Sequence, residues 1–191
     1  MTKAPLAILI SGRGSNMAAL IDAARSDDCP YEVVLVASNK PEAAGLATAR
    51  AAGITTFAHS HKGLSREDFD AIIDAELRRA GARYVALAGY MRILSPGFVA
   101  GWAGHMVNIH PSLLPLYKGL DTHGRAIAAG DAEGGCSVHL VTAELDDGEV
   151  IAQARVPILP GDTAESLADR VLTEEHRLYP EALASYIRRH G

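Results

Sequence analysis

Short apolar runs alternate with longer amphipathic stretches through the first hundred residues. Apolar runs with almost no polar alternation predict strands that are buried on both faces, as in a parallel sheet. The longer stretches between them have the spacing of helices, and repeated strand–helix–strand units predict a right-handed, doubly wound arrangement. The predicted strands are Leu6–Ile10, Glu32–Ala37, Ile54–Phe57 and Tyr84–Ala88, and the predicted helices are Asn16–Arg25, Pro41–Ala52 and Ser65–Arg79.

Two of these helices carry start signals. Pro41 suits the first turn of a helix, where a missing N–H costs nothing. Ser65 followed by Asp68 resembles a helix cap.

The second half of the chain has a different pattern. A Pro/Gly-rich loop, Pro111–Gly124, follows a strand, and Asp146-Asp147-Gly148 predicts the turn of an antiparallel hairpin. We therefore predict an α/β fold, a single-domain Rossmann-like three-layer sandwich with a mostly parallel sheet in the N-terminal half and a C-terminal antiparallel hairpin. The predicted elements are strands His105–His110, Cys136–Thr142 and Glu149–Ile158, a short helix Thr122–Gly130, and a last helix from Asp162 with a second segment past Pro180.

Composition narrows the class of protein. The 191 residues are 48% hydrophobic and 21% charged, which is typical of a globular domain and argues against disorder. The net charge of -5 and the lack of a basic stripe disfavour a nucleic-acid partner. Cys29 and Cys136 fit neither a disulfide scaffold nor a zinc finger. The first apolar run is too short for a signal or membrane segment, so we expect a cytoplasmic protein with no membrane partner.

A glycine-rich segment, Ser11–Asn16, joins the first predicted strand to the first predicted helix. Backbone N–H groups at such a helix start favour an anion, and a phosphate is the natural occupant. A dinucleotide is less favoured, because Met17 replaces the third glycine and Ser38–Lys40 lacks the ribose-binding acid. A tight turn without any ligand remains the alternative.

Asn108 and His110 lie on one face of a predicted strand, because strand side chains alternate. An amide and an imidazole at a strand end can polarise a carbonyl, with Asn108 donating to an oxyanion and His110 donating or moving a proton. A satisfied polar pair at a strand end is the equally open alternative.

Carboxylates elsewhere offer weaker signals. The acids of Glu144–Gly148 are those of an ordinary turn unless one of them faces His110, where it would favour the imidazolium. Glu175 and His176 fall on or beside an apolar helical stripe, which suits either a buried salt bridge or a carboxylate at a pocket edge. The pair His59 and His61 lacks metal-ligand spacing, so we expect no metal.

Four segments together resemble the phosphoribosylglycinamide formyltransferase family of folate-dependent enzymes. They are Ser-Gly-Arg-Gly-Ser-Asn at 11–16, Gly-Tyr-Met-Arg-Ile-Leu at 89–94, Asn-Ile-His-Pro-Ser-Leu-Leu-Pro at 108–115 and Ser-Val-His at 137–139. The resemblance runs almost from end to end. It implies one formyltransferase domain over residues 1–191, with a phosphate-binding half, 1–100, and a catalytic and folate-binding half, 101–191.

The resemblance also implies substrates and roles. Glycinamide ribonucleotide and 10-formyltetrahydrofolate would be the small-molecule partners of a monomer or homodimer. It assigns the ribonucleotide phosphate to Gly14, Ser15 and Asn16, its glycinamide end to Glu175, the folate to Arg66, Met91, Arg92, Ile93 and Leu94, and catalysis to Asn108, His110 and Asp146.

Two departures from the family pattern stand out. Asp121 occupies a position where the family commonly has a second histidine, which puts hydrogen bonds of that loop in doubt. Asp147 follows Asp146 directly, and Asp146 is chosen because Glu-Leu-Asp precedes the family's turn. A formyltransferase for another amine, and a phosphometabolite-binding module without catalysis, are the alternative functions.

Overall fold

The computed structural model describes residues 2–191, which form one seven-stranded sheet with helices on both faces. Its strand order is β3-β2-β1-β4-β5-β6-β7; the first five strands run parallel, and β6 and β7 are antiparallel to their neighbours. The predicted fold class is confirmed. The strands are β1 Ala4–Ile10, β2 Tyr31–Ser38, β3 Thr56–Ala58, β4 Tyr84–Leu87, β5 Met106–His110, β6 Glu133–Leu140 and β7 Val150–Pro157, and the helices are α1 Ser15–Ala24, α2 Gly45–Ala51, α3 Arg66–Arg79, α4 Pro96–Gly101, α5 Thr122–Ala129 and α6 Ala164–His190.

Alternating side chains of the strands build one apolar core on each face of the sheet. Ile8 and Val107 pack with α1, α2 and α6, whereas Leu9 and Met106 pack with α3 and α4. Both faces of these strands are covered, which explains why their sequences are almost continuously apolar.

The chain reverses its direction of travel across the sheet between β1 and β4. From β1 it proceeds to β2 and β3 on one side, and then returns to β4 and β5 on the other. The loops that follow β1 and β4 therefore diverge at this point, and ligands of open α/β sheets bind in such a crevice. The amide of Met91 donates to Ser11 Oγ at 2.8 Å, which joins the two loops at the crevice.

Some predicted element boundaries are wrong. Helix α2 has Ala44 as its N-cap, so Pro41 lies in the preceding turn rather than in the helix. Helix α4 was not predicted, although Ser95 accepts a hydrogen bond from the Phe98 amide and Pro96 occupies the first turn. The capping role of Ser65 is confirmed, since its side chain accepts from the Asp68 amide.

The last helix is continuous through Pro180 rather than divided there. It starts behind a capping box between Thr163 and Ser166. The buried Tyr179 hydroxyl donates to the carbonyls of Leu87 and Val107, at 2.9 and 3.0 Å. These bonds fasten α6 across β4 and β5 at the residue just before the proline.

The predicted antiparallel pairing of the hairpin strands is confirmed, whereas the predicted tight turn between them is wrong. Strands β6 and β7 pair antiparallel, but residues 141–149 form a longer connection than a tight turn at 146–148. Gly148 permits this path, because a Cβ there would lie 1.8 Å from the Leu140 carbonyl oxygen. The connection folds back over β5 and β6, and so brings its acids towards the predicted site.

Candidate active site

Strand β5 places Asn108 and His110 on the face opposite Val107 and Ile109, as alternation predicts. Val107 and Ile109 pack into the core beneath α6, whereas Asn108 and His110 face the connection 141–149. His110 is buried and Asn108 is half-buried. The amide and the imidazole therefore occupy a polar recess rather than open surface.

Asp146 is the acid that faces His110. Its Oδ2 lies 3.4 Å from His110 Nδ1, and only 9% of its side chain is exposed. Its φ of 50° is in the left-handed region, which is uncommon for a residue other than glycine and concentrates at functional sites. Asp147 points outward and forms an ion pair with Lys118. The structure thus brings Asn108, His110 and Asp146 together and leaves Asp147 outside.

His139 belongs to the same cluster, although the sequence analysis gave it no role. It lies opposite Asn108 in the β5–β6 pairing, and its Nε2 accepts from Asn108 Nδ2 at 3.1 Å. Its Nδ1 donates to the Leu140 carbonyl, so both ring nitrogens are engaged in the neutral form. Burial lowers the pKa of His139, an effect that outweighs the nearby carboxylate of Asp146. A neutral His139 orients the Asn108 amide and leaves its second N–H free to donate.

The loop between β5 and α5 contacts both members of the His110–Asp146 pair. The carbonyl of Tyr117 accepts from His110 Nε2 at 2.9 Å. Two residues further on, the amide of Gly119 donates to Asp146 Oδ2 at 3.0 Å. Backbone groups of one short segment therefore hold the imidazole and the carboxylate in register.

Asp121 is the residue that departs from the family pattern. It is exposed at the N-cap of α5, with a φ of 52°, and makes no side-chain capping bond. Its carboxylate occupies the space beside Gly124, where an added Cβ would lie 2.5 Å from Asp121 Oδ1. Burial lowers the pKa of the neighbouring His123, while Asp121 acts to raise it. The structure therefore places Asp121 near His123, and Asp121 is not part of the His110–Asp146 pair.

The glycine-rich loop has the geometry of an anion site at a helix start. Gly14 is the N-cap of α1 with a φ of 72°, and no side chain caps the first N–H groups of the helix. Gly45 packs against this loop, since a Cβ there would come within 3.0 Å of the Arg13 carbonyl oxygen. Amides at Ser15 and Asn16 thus begin a ten-residue helix whose positive end remains uncapped by side chains.

Asn16 and Glu175 meet directly, which sequence spacing could not foresee. Asn16 Nδ2 donates to Glu175 Oε2 at 2.7 Å, across 159 positions of sequence, and both side chains are buried. Burial raises the pKa of Glu175 above its ordinary value of 4.5, although the Asn16 bond acts to lower it. The predicted phosphate loop and the predicted amine-binding carboxylate are therefore neighbours, and among the described residues 2–191 the partner of Glu175 is the Asn16 amide rather than a cation.

The segment after β4 alternates between exposed and packed side chains. Met91 is 64% exposed and Ile93 is 61% exposed, whereas Leu94 packs against the core beneath α3. Arg92 lies over the Phe69 ring and donates to the Ser65 carbonyl. Arg66 is exposed at the first residue of α3, next to Ser65.

Neither a metal-binding cluster nor a membrane-spanning helix is found among residues 2–191. Within this part of the chain no group of three or more His, Cys, Asp or Glu side chains is arranged to hold a metal ion. None of the helices described there is both long and apolar enough to span a membrane. His61 bonds to Asn39 and packs edge-on against Phe69, while His59 lies exposed.

Known proteins share both the sequence and the fold. Residues 4–183 match the sequence profile of the family described as formyl transferase. The chain belongs to the formyl transferase family. Phosphoribosylglycinamide formyltransferase of Escherichia coli (strain K12) is 49% identical over 176 residues, which cover 92% of this chain and 83% of that protein. A member of the family from Brucella melitensis, phosphoribosylglycinamide formyltransferase, has a crystal structure with a TM-score of 0.93 and 52% identity, covering 97% of this chain and 96% of that one.

Larger members of the family contain the same domain. The trifunctional purine biosynthetic protein adenosine-3 of Drosophila melanogaster is 49% identical over 185 residues, and this chain spans 14% of its length. The resemblance inferred from the glycine loop and the Asn108–Pro115 segment is confirmed by these comparisons, as is the Rossmann-like fold.

Proposed function

We propose that this chain transfers the formyl group of 10-formyltetrahydrofolate to the amine of 5-phosphoribosylglycinamide. The products are the N-formyl ribonucleotide and tetrahydrofolate, a step of de novo purine (IMP) biosynthesis. The observation that carries the proposal is the grouping of Asn108, His110 and Asp146, buried or half-buried, in a member of the formyl transferase family.

Residues 1–100 supply the anion site for the ribonucleotide. The N–H groups of Gly14, Ser15 and Asn16 hold the phosphate at the start of α1, where the helix dipole adds a favourable field. Glu175 accepts from the glycinamide end, and its link to Asn16 sets that carboxylate next to the phosphate loop.

The formyl donor fits the exposed segment after β4. Met91 and Ile93 present apolar side chains that can cover a flat ring, and the backbone groups of Arg92 and Leu94 adjoin them along the chain. Arg66 and Arg92 supply positive charge near the α3 start for an anionic tail. Residues 101–191 then provide the chemistry on the neighbouring strand, and this chain needs no metal for it.

Asn108 and His110 stabilise the charge that develops when the amine attacks the formyl carbon. A carbon–nitrogen bond forms to the substrate amine, and the bond from that carbon to the folate nitrogen breaks. Asn108 donates its free N–H to the oxyanion, and protonated His110 donates from the nitrogen facing Asp146. Asp146 holds the imidazolium and helps, through water, to move the amine proton to the departing nitrogen. No covalent enzyme intermediate is required.

We further propose a cytoplasmic enzyme that acts as a monomer or homodimer on small molecules, without nucleic acid or membrane as a partner. The acidic net charge of -5 supports the lack of a nucleic-acid partner.

The deciding assay follows the absorbance change of the folate when glycinamide ribonucleotide is added. We expect turnover with this amine, and at least about 100-fold slower turnover in His110→Ala, because one donor to the oxyanion is lost. Near-normal turnover in His110→Ala would remove this residue from the mechanism. Faster transfer to another amino-sugar or nucleotide amine would reassign the acceptor.

Calorimetry separates catalysis from mere binding. We expect heat of binding from the folate and from the ribonucleotide when each is titrated alone. A protein that binds the ribonucleotide and ignores the folate would be a phosphometabolite-binding module.

A further inference from the structure

Residues 117–119 form the loop that contacts His110 and Asp146. Side chains without a role in the proposed reaction hold this loop in place. Residues 117–119 contribute the Tyr117 carbonyl to His110 Nε2 and the Gly119 amide to Asp146 Oδ2. Tyr117 has a φ of 52°, in the left-handed region, which is unfavourable for a residue with a Cβ. Such a conformation persists only where the surrounding contacts over-determine it.

Four contacts fix Tyr117 and the carbonyls that follow it. The Tyr117 hydroxyl donates to Asp131 Oδ2 at 2.6 Å. The Arg125 guanidinium lies 5.2 Å from the centre of the Tyr117 ring. Arg125 also donates to the carbonyl of Lys118 at 2.7 Å and to that of Leu120 at 3.2 Å. Both anchors belong to α5 and the residues just after it, so the loop is fastened to a regular element.

The direction of the hydrogen bond to the Tyr117 carbonyl decides which ring nitrogen of His110 can gain or lose a proton. A carbonyl oxygen only accepts, so Nε2 carries a hydrogen. Nδ1 is left facing Asp146 Oδ2, and in the neutral ring it is the nitrogen without a proton. Any proton that His110 gains or gives up in the site is therefore the one on Nδ1.

We propose that Tyr117, Arg125 and Asp131 are positioning residues, whose side chains hold the Tyr117 carbonyl on His110 Nε2 and thereby present Nδ1 to the reacting group. This rests on the proposed roles of His110 and Asp146 in formyl transfer. The three residues touch neither substrate directly; they act through the backbone of 117–119.

Tyr117→Phe is the central variant, because it removes the bond to Asp131 and keeps the ring beneath Arg125. Tyr186→Phe is its matched control, since that hydroxyl donates to a backbone carbonyl, Gly104, at 2.8 Å on another part of the fold. We expect kcat to fall about 10-fold or more in Tyr117→Phe while KM for both substrates stays within about twofold, as a displaced catalytic group predicts. Tyr186→Phe should leave both constants unchanged.

Asp131 gives a conservative rescue. Asparagine at 131 still offers an oxygen to the Tyr117 hydroxyl, whereas alanine does not. We therefore expect Asp131→Asn to keep kcat near the wild-type value and Asp131→Ala to match Tyr117→Phe. Two results would overturn the proposal. One is an equal kcat in wild type, Tyr117→Phe, Asp131→Asn and Asp131→Ala; the other is a loss of kcat/KM that comes only from a raised KM.

A readout independent of activity is the ¹⁵N NMR spectrum of the His110 ring in the substrate-free protein. It should show the Nε2–H form for the neutral ring in wild type, and a mixture of both forms in Tyr117→Phe. A wild-type ring protonated on Nδ1 when neutral would overturn the proposal. If the ring behaves as expected but no ribonucleotide is formylated, the positioning stands and the proposed function fails.

Discussion

Replacing Asp146 by asparagine removes one negative charge and almost nothing else. The side chain keeps its size, and an amide oxygen can still accept from the Gly119 amide. The lost interaction is with the imidazolium that the proposed mechanism requires at His110, whose Nδ1 lies 3.4 Å from the carboxylate. At an effective dielectric of about 20, a charge pair at this separation is worth about 5 kcal/mol before desolvation is subtracted. Desolvation of two buried groups offsets part of this, and we take about 2–3 kcal/mol as the net loss in the transition state.

A loss of about 2–3 kcal/mol corresponds to a kcat about 30- to 160-fold lower. The assay is formyl transfer at saturating concentrations of both substrates, with KM measured separately for each. Asp147→Asn is the matched control, because that neighbouring acid is exposed and pairs only with Lys118. A kcat within about threefold of wild type in Asp146→Asn, or an equal fall in Asp147→Asn, would refute the assignment of the acid.

Three other predictions concern stability. Because the pKa of Glu175 is raised, the folded protein binds a proton on this carboxylate more tightly than the unfolded chain does. The contribution of Glu175 to stability is therefore complete below about pH 4.5 and is lost as the pH rises through the raised pKa. Glu175→Gln should therefore raise the Tm increasingly from pH 5 to pH 8 relative to wild type, whereas Glu174→Gln should not. Gly14→Ala should lower the free energy of unfolding by about 1–2 kcal/mol in urea titrations, because Gly14 has a positive φ. Gly12→Ala is the control: a Cβ at Gly12 would meet open space, so this variant should change the free energy of unfolding by less than about 0.5 kcal/mol. Tyr179→Phe should cost about 1–3 kcal/mol in the same titration, because two buried carbonyls lose their donor; an unchanged midpoint would contradict the anchoring of α6.

The elements with strong hydrophobic periodicity were the ones that sequence could predict. The buried strands and α3 match their predicted positions within a few residues, because both faces of each strand or one face of the helix must be apolar. Helix α4 is only six residues long, too short for periodicity, and Ser95-Pro96 was its only local signal. The continuity of α6 through Pro180 depends on contacts that Tyr179 makes with β4 and β5, which no local pattern contains.

In the candidate site, too, sequence could predict some residues and not others. Alternation along β5 placed Asn108 and His110 on one face, because strand geometry has a fixed period. The choice between Asp146 and Asp147 needed the path of the connection 141–149, which depends on the close approach of Gly148 to Leu140. The segment Ser-Val-His at 137–139 contains His139, but its contact with Asn108 could be inferred only from the pairing register of β5 and β6.

The bond between Asn16 and Glu175 has a consequence for biosynthesis of the protein. Its two partners are 159 positions apart, so the contact between them cannot form until the segment around residue 175 has left the ribosome. Neither residues 1–100 nor residues 101–191, expressed alone, would contain both partners. A growing chain can form its first strands and helices early, but the glycine-rich loop at 11–16 gains its Glu175 neighbour only after α6 has been synthesised.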